Sequence, residues 1–299
     1  MRKAIRLLAG LAILCALIVK AGPGKVLDGV RAIGWETYAV AVVLYLVGQA
    51  VCATKWRAIA ASMGIVEPGW KVQALYLSGM FMNVFLPTSI GGDVGRAYLL
   101  AGRNGFGAGI VSVLAERYFG FVVLTLFLAV GLFLHGEFLP GLASATLKFL
   151  PLAAIGIPYL LLPWEKRIQR FLFPTRPEIV QTFSGVLRNG RLVALSILLS
   201  VVFYLVYIAM HVVVGRSLNI PAAPWEFAII VTLTSLVSMI PVSIGGLGLR
   251  EGSYMYLLFL QGVDGTAGIA FGVAILAVSL TLSLLGGIVL FILRSVGKM

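Results

Sequence analysis

The chain has 299 residues, 60% of them hydrophobic and 11% charged, with a mean hydropathy of +1.04. Soluble domains carry about 25% charged residues, so the composition excludes an ordinary soluble fold and predicts an all-α polytopic membrane protein, one membrane domain over 1–299. The net charge of +12 sits in short basic clusters between apolar runs, which is the pattern of membrane orientation and anionic headgroups rather than of nucleic-acid binding.

In chain order, Arg2, Lys3 and Arg6 precede an apolar run over 7–19. A signal peptide has this form, but Lys20 in the would-be cleavage region and the lack of a soluble domain favour a retained first helix. The next runs are 38–53, followed by Lys55 and Arg57, and 74–86, which leads through a break to 97–101. The run 110–134 is long enough to cross a bilayer at 1.5 Å per residue. Further spans are read over 147–162, 192–214 and 266–293, with a broken unit at 227–240 and 253–260. Between them, 164–191 is polar. Trp164, Ile168, Phe171 and Leu172 share one helical face there, opposite Lys166, Arg167 and Arg170, as expected of an interfacial helix on anionic lipid.

The two breaks carry one pattern. Pro87-Thr88-Ser89-Ile90-Gly91-Gly92-Asp93-Val94-Gly95-Arg96 returns 154 residues later as Pro241-Val242-Ser243-Ile244-Gly245-Gly246-Leu247-Gly248-Leu249-Arg250. Proline removes a backbone donor and glycine disfavours helix, so each copy should interrupt a helix. Two such breaks in corresponding hydrophobic surroundings indicate an internal repeat with discontinuous membrane helices.

Charge sets the topology. Fifteen Lys and Arg fall at the N-terminus, in 55–71, at Arg103, in 164–191 and at the C-terminus, and five in the other loops. If the fifteen are cytoplasmic, 71–103 enters from and returns to the cytoplasm, and 225–261 does the same from outside. The reading is six continuous spans and two re-entrant broken-helix hairpins, with both termini inside a bacterial inner membrane. The halves 1–145 and 146–299 then run in opposite directions as an inverted repeat, with a ligand site near the midplane.

Arg96, Arg117 and Arg250 lie at membrane depth, with Asp93, Glu116 and Glu251; Glu226 reads as interfacial. A charge at the bilayer centre costs about 2.5–3.5 kcal/mol even on the lenient scale, so such residues are functional candidates. Non-helical backbone at that depth lines a cavity or is buried in protein, and a helix restarting after Gly91-Gly92 or Gly245-Gly246 offers an N-terminus to an anion. Ser89 and Ser243 can add hydroxyls, and Arg96 and Arg250 add planar forks suited to phosphate. Together they suggest a substrate cradle for an anionic, phosphate-bearing lipid. Asp93, Glu116, Arg117 and Glu251 are candidates for proton coupling or ion pairing, Glu251 with an arginine across the repeat. His211 reads as a packed or interhelically bonded histidine, and Asn83, Gln49, Tyr204 and Tyr207 as packing groups. With two histidines and two cysteines, Cys15 and Cys52, both in apolar runs, neither a metal site nor a cofactor is expected.

Pro87, Ser89, Ile90, Gly91, Gly92, Asp93 and Arg96 through Leu100, then Glu116-Arg117, then Gly245 through Gly248 and Arg250-Glu251-Gly252 resemble the membrane region of the lysylphosphatidylglycerol synthase/flippase family. The resemblance covers nearly the whole chain. It implies a lipid flippase of the envelope, acting on a phospholipid derivative or a polyprenyl-phosphate-linked glycolipid, and no enzyme activity. Where family members often carry Asp three residues after the Glu-Arg pair, this chain has Gly120. The soluble aminoacyl-transferase domain of the fused members has no counterpart in it, so aminoacylation is not implied. The alternative is an integral-membrane transferase or an accessory subunit of a lipid-modifying enzyme. No Asp-rich motif, histidine cluster or Ser/His/Asp set favours the transferase. A second copy of the chain or a lipid-modifying enzyme is compatible as a partner.

Overall fold

The structure, a computed structural model, describes residues 15, 18, 19, 23–85, 91–102, 105–135, 141–172, 178–240 and 246–295. All regular structure among these residues is helical. In order the helices are α1 (Pro23–Ala32), α2 (Gly34–Ser62), α3 (Gly69–Phe85), α4 (Gly91–Ala101), α5 (Phe106–Leu134), α6 (Gly141–Leu161), α7 (Glu165–Leu172), α8 (Glu178–Arg188), α9 (Gly190–Ser217), α10 (Pro224–Ser238), α11 (Leu249–Phe259) and α12 (Gly265–Ser295). Five stretches are long and apolar enough to cross a membrane, namely α2, α5, α9, α12 and Ser144–Arg170, which runs from α6 into α7. They correspond to five of the six expected spans. The sixth, 7–19, lies outside the described residues except for Cys15, Ile18 and Val19, which are helical. The expected half boundary at 145/146 falls inside α6.

Local chemistry explains several helix ends. Asn189 caps α9 by accepting the Leu192 N–H at 3.1 Å, satisfying a donor the first turn leaves orphaned. Pro224 opens α10, where its missing N–H costs nothing. Glu226 folds back to accept the Ala223 N–H at 2.5 Å, so the acid read as interfacial is the cap of α10. Gly64, at φ +81°, follows the end of α2 in the left-handed region that glycine tolerates.

Both expected breaks are present. In the first half α3 stops at Phe85 and α4 starts at Gly91. In the second α10 stops at Ser238 and α11 starts at Leu249. At 15 residues, α10 spans roughly 22 Å, short of the ~30 Å hydrocarbon core.

A shift of 154 residues carries α1 onto α8, α2 onto α9, α3 onto α10, α4 onto α11 and α5 onto α12, with ends agreeing within a few residues, more loosely at the C-terminus of α5/α12. The packing follows the same pairing. Helices α2 and α9 lie against each other. The short helix of each half packs on the long helix of the other: α3 on α12, and α10 on α5. Likewise α1 packs on α12 and α8 on α5, while α4 lies between α3 and α5 and α11 between α10 and α12. Glycines permit the crossings. A Cβ on Gly286 would stand 2.0 Å from the Leu77 carbonyl oxygen, and one on Gly131 would stand 2.6 Å from Ile229. The largest apolar cluster, with Leu128, Leu132, Phe227, Ile229, Tyr254 and Phe271, fills the α5–α10–α11–α12 contact.

The segments read as connections contain two helices that sequence inspection missed, α1 and α8. The helix expected from Trp164, Ile168, Phe171 and Leu172 is present as α7, entered through a 3-10 turn (Leu162–Trp164), and the same polar stretch holds α8 besides. Trp164 is exposed and lies under the Arg167 guanidinium, 5.4 Å from the ring centre. The Phe171 and Leu172 side chains lie outside the described part. Helix α8 buries Val186 and Leu187 against Ile59, Ala115 and Phe119, so it belongs to the core.

Candidate functional site

Three helices of the first half, α2, α4 and α5, bring a chain of charges into the interior. Arg96 stands one turn after Asp93 on α4, and its Nη2 reaches Asp93 Oδ1 at 3.2 Å and Glu116 Oε2, on α5, at 2.9 Å. The other Glu116 oxygen, Oε1, accepts Lys55 Nζ of α2 at 3.1 Å. The other Asp93 oxygen, Oδ2, takes Arg117 Nη2 at 2.5 Å. Lys55, Arg96, Asp93 and Glu116 are all buried, and Arg117 is half exposed. Three cations face two carboxylates, which leaves one surplus positive charge. The two acids were alternative partners for Arg96 on the sequence, and both engage it.

The Arg96 guanidinium lies between two aromatic rings, 4.8 Å from the Trp56 ring centre and 4.5 Å from that of Tyr76. Such stacking suits arginine's weakly hydrated plane. Trp56 is fixed by its indole N–H, which donates to Ser112 Oγ at 2.9 Å. Gly79 makes room for the arginine: a Cβ there would lie 3.0 Å from Arg96 Cδ. With 4% of its side chain exposed, Arg96 still has two nitrogens, Nε and Nη1, without a hydrogen-bond partner among the described residues. Leaving buried donors unsatisfied costs about 1–3 kcal/mol, so the site is built short of an acceptor.

Lys55 is the member that sequence inspection missed. Counted there among cytoplasmic loop residues, it lies inside α2, two turns before the helix ends, with 2% of its side chain exposed. That removes one charge from the fifteen. Lys55 also donates to Ser200 Oγ on α9 at 3.0 Å, tying the cluster to the other half of the chain. The available signal was the distance to the next helix-stopping residue, Gly64, which places Lys55 within the helix rather than after it.

The glycine motifs shape the helix starts in different ways. Gly92 is pressed against α3, where a Cβ would stand 2.1 Å from the Gly79 carbonyl oxygen. The Gly92 N–H donates to Asn83 Oδ1 at 2.9 Å, so one N–H expected to face an anion is already taken. Gly91 is the first residue of α4. Gly246 and Gly248 adopt φ +75° and +77°, which only glycine holds without strain. The Gly248 N–H donates to Glu251 Oε2 at 2.6 Å. Ser89, Ser243 and Gly245 lie outside the described residues.

The second half is neutral at the matching place. Arg250 Nε and Nη2 each approach Glu251 Oε1 at 3.1 Å. Glu251 therefore pairs with its chain neighbour, because its remaining oxygen is held at the start of α11, and not with an arginine across the repeat. Arg250 is largely buried, within electrostatic range of Tyr45, Tyr207 and Tyr254. His211 bridges helices, with Nε2 2.8 Å from the Tyr254 hydroxyl and Nδ1 2.8 Å from the Tyr207 carbonyl. Tyr45 lies near Arg250 and Cys52 near Arg96, seven residues or roughly 10 Å apart along α2. The positions 154 residues beyond Glu116 and Arg117 hold Ala270 and Phe271, so the charge chain has no counterpart in the second half.

The chain is similar to a UPF0104 membrane protein of Methanothermobacter thermautotrophicus (strain Delta H), with 21% identity over 291 residues, 87% of this chain and 86% of the relative. No solved structure matches it significantly. Residues 4–287, including every residue of the charge cluster, match the family described as Lysylphosphatidylglycerol synthase TM region. The chain is a multi-pass helical membrane protein and belongs to that family.

Proposed function

We propose that the protein is a flippase that moves a phosphate-bearing lipid, a phospholipid derivative or a polyprenyl-phosphate-linked glycolipid, across a bacterial inner membrane. It makes and breaks no covalent bonds. The observation that carries this reading is the buried cluster around Arg96, with one unmatched positive charge and two guanidinium nitrogens lacking an acceptor. A phosphate oxygen supplies both the charge and the acceptor. Arg96 is the primary phosphate-binding group in this reading, Gly91 and Gly92 bring the α4 backbone close, and Ser89 belongs to the same sequence motif. Arg250, with Gly246 and the motif residues Ser243 and Gly245, forms a second, electrically neutral station further along α2.

The shift-related packing supports two inverted halves, with α3–α4 and α10–α11 as re-entrant hairpins. Both termini are then cytoplasmic. Asp93 and Glu116 hold the cations in place before the lipid arrives, and exchange of a carboxylate for phosphate at Arg96 or Arg117 is the step that admits the headgroup.

The test is reconstitution in liposomes with a headgroup-labelled anionic lipid. Losing one charge-assisted hydrogen bond, about 1.5–3 kcal/mol, weakens headgroup affinity roughly 10- to 150-fold, so Arg96→Ala should lose transport. Arg96→Lys, which keeps charge but not the fork, should retain part of it. Full transport by well-folded Arg96→Ala would refute the reading. Conversion of the lipid to a new mass by the pure protein would make it an enzyme instead.

A further inference from the structure

Away from the charge cluster, α5, α6 and the α7–α8 pair enclose an apolar slot of about 400 Å³. Leu114, Pro158, Leu161, Ile168, Phe183 and Leu187 form its walls, and the polar residues on it are Tyr118, Glu165 and Ser184. Its volume lies in the range of small-molecule sites, about 300–1,000 Å³. Helix α8, with 11 residues, is too short to cross a bilayer, and α7 is the end of the Ser144–Arg170 stretch. They lie over the slot like a cover, joined by Arg188 Nη2 on Glu165 Oε2 at 2.9 Å and by Gln181 Nε2 on Gln169 Oε1 at 3.3 Å. The Tyr159 hydroxyl on α6 donates to the Leu187 carbonyl at 3.2 Å and closes one end.

The cover is strongly basic. Lys166, Arg167 and Arg170 are exposed on α7, and Arg188 and Arg191 are exposed at the end of α8 and the start of α9. Against these five stand two acids, Glu165, which Arg188 already engages, and Glu178. An apolar slot beside hydrocarbon, under a cover whose five cations outnumber its two acids, fits one class of occupant. We propose that it holds an acyl chain of an anionic membrane lipid, whose phosphate lies on Arg188 and Arg191. This lipid is a resident one, bound outside the charge cluster, and its site does not depend on the transport reading. A neutral lipid would fill the slot and leave the rim charges unmatched. A soluble anion would use the rim and leave the slot empty.

The experiment uses the full chain in phosphatidylcholine liposomes carrying a trace of phosphatidylglycerol with a photoactivatable group on its tail. Irradiation followed by peptide mapping should find the adduct on slot residues such as Leu161, Phe183 and Leu187. Excess unlabelled phosphatidylglycerol should suppress the adduct, and added phosphatidylcholine should not. Ile179→Trp, which fills the slot, should abolish it. Arg191→Gln should lower it about fivefold, the effect of removing one interfacial basic residue, and Arg188→Gln by a similar factor. Equal labelling by a phosphatidylcholine probe would reduce the slot to bulk lipid contact and overturn the proposal. So would adducts elsewhere on the protein with none in the slot, since another part of the chain would then fill it.

Discussion

Glu116→Gln keeps the shape of a buried side chain and removes one of the two negative charges that hold three cations. The surplus positive charge rises from one to two. Lys55 Nζ and Arg96 Nη2 stand 3.1 and 2.9 Å from its oxygens, with 2% and 4% of their side chains exposed, so neither can turn to water. Breaking a buried pair in this way costs about 3–5 kcal/mol, and that is the expected loss. Lys55→Met leaves two cations on two carboxylates and should cost about 1 kcal/mol, chiefly the Ser200 hydrogen bond. Combining the two changes restores the surplus to one, so the double variant should be more stable than Glu116→Gln alone, with a coupling of about 2–3 kcal/mol. Unfolding by SDS in mixed micelles, followed by circular dichroism, gives the three differences. A Glu116→Gln protein as stable as the parent, or strictly additive changes, would refute the cluster as one electrostatic unit. The same set separates stability from function, because Lys55→Met should remain folded yet lose transport of an anionic lipid with the surplus charge.

Glycine contacts give a second set of expectations. Gly92→Ala and Gly286→Ala drive a Cβ to within 2.1 and 2.0 Å of carbonyl oxygens and should each cost about 1–3 kcal/mol or more in thermal unfolding. Gly156→Ala on α6, with nothing within 4 Å of the new Cβ, should be neutral or gain up to about 1 kcal/mol of helix propensity. For topology, single cysteines in a background lacking Cys15 and Cys52 can be probed with an impermeant thiol reagent in intact cells. Positions 102 and 176 should be protected, and 141 and 262 labelled; external labelling at 102 would remove the first re-entrant hairpin.

Hydropathy made the long helices legible because a membrane span is a one-dimensional signal. The runs at 110–134, 192–214 and 266–293 differ from the observed helices by only a few residues at each end. The breaks were legible because proline and glycine act locally, wherever the rest of the chain lies. Helices α1 and α8 were not, because short amphipathic segments between spans resemble polar connections until the surface they cover is known. At the site, Arg96 with Asp93 and Glu116 could be anticipated from the cost of charge in lipid. Lys55 was harder to place, because it follows the end of the apolar run and only the distance on to Gly64, the length of α2, carries it inside. The Arg250–Glu251 pair differed from expectation for a related reason: the hydrogen bond from the Gly248 N–H, made at the start of α11, turns Glu251 back toward its neighbour.

The exchange of α3 and α10 between halves restricts how such a molecule can move. Each half holds the other by a short helix laid against a long one, as two hands hold when their fingers are crossed. At the α3–α12 crossing Gly286 sits against the Leu77 carbonyl with no space for a methyl group, and at the α10–α5 crossing Gly131 meets Ile229 almost as closely. Halves clasped in this way cannot swing apart as two rigid bodies without opening both crossings together. For the transport proposed above, access from one side to the other must therefore come from sliding along these glycine tracks, or from the broken-helix pairs shifting within a frame that stays closed.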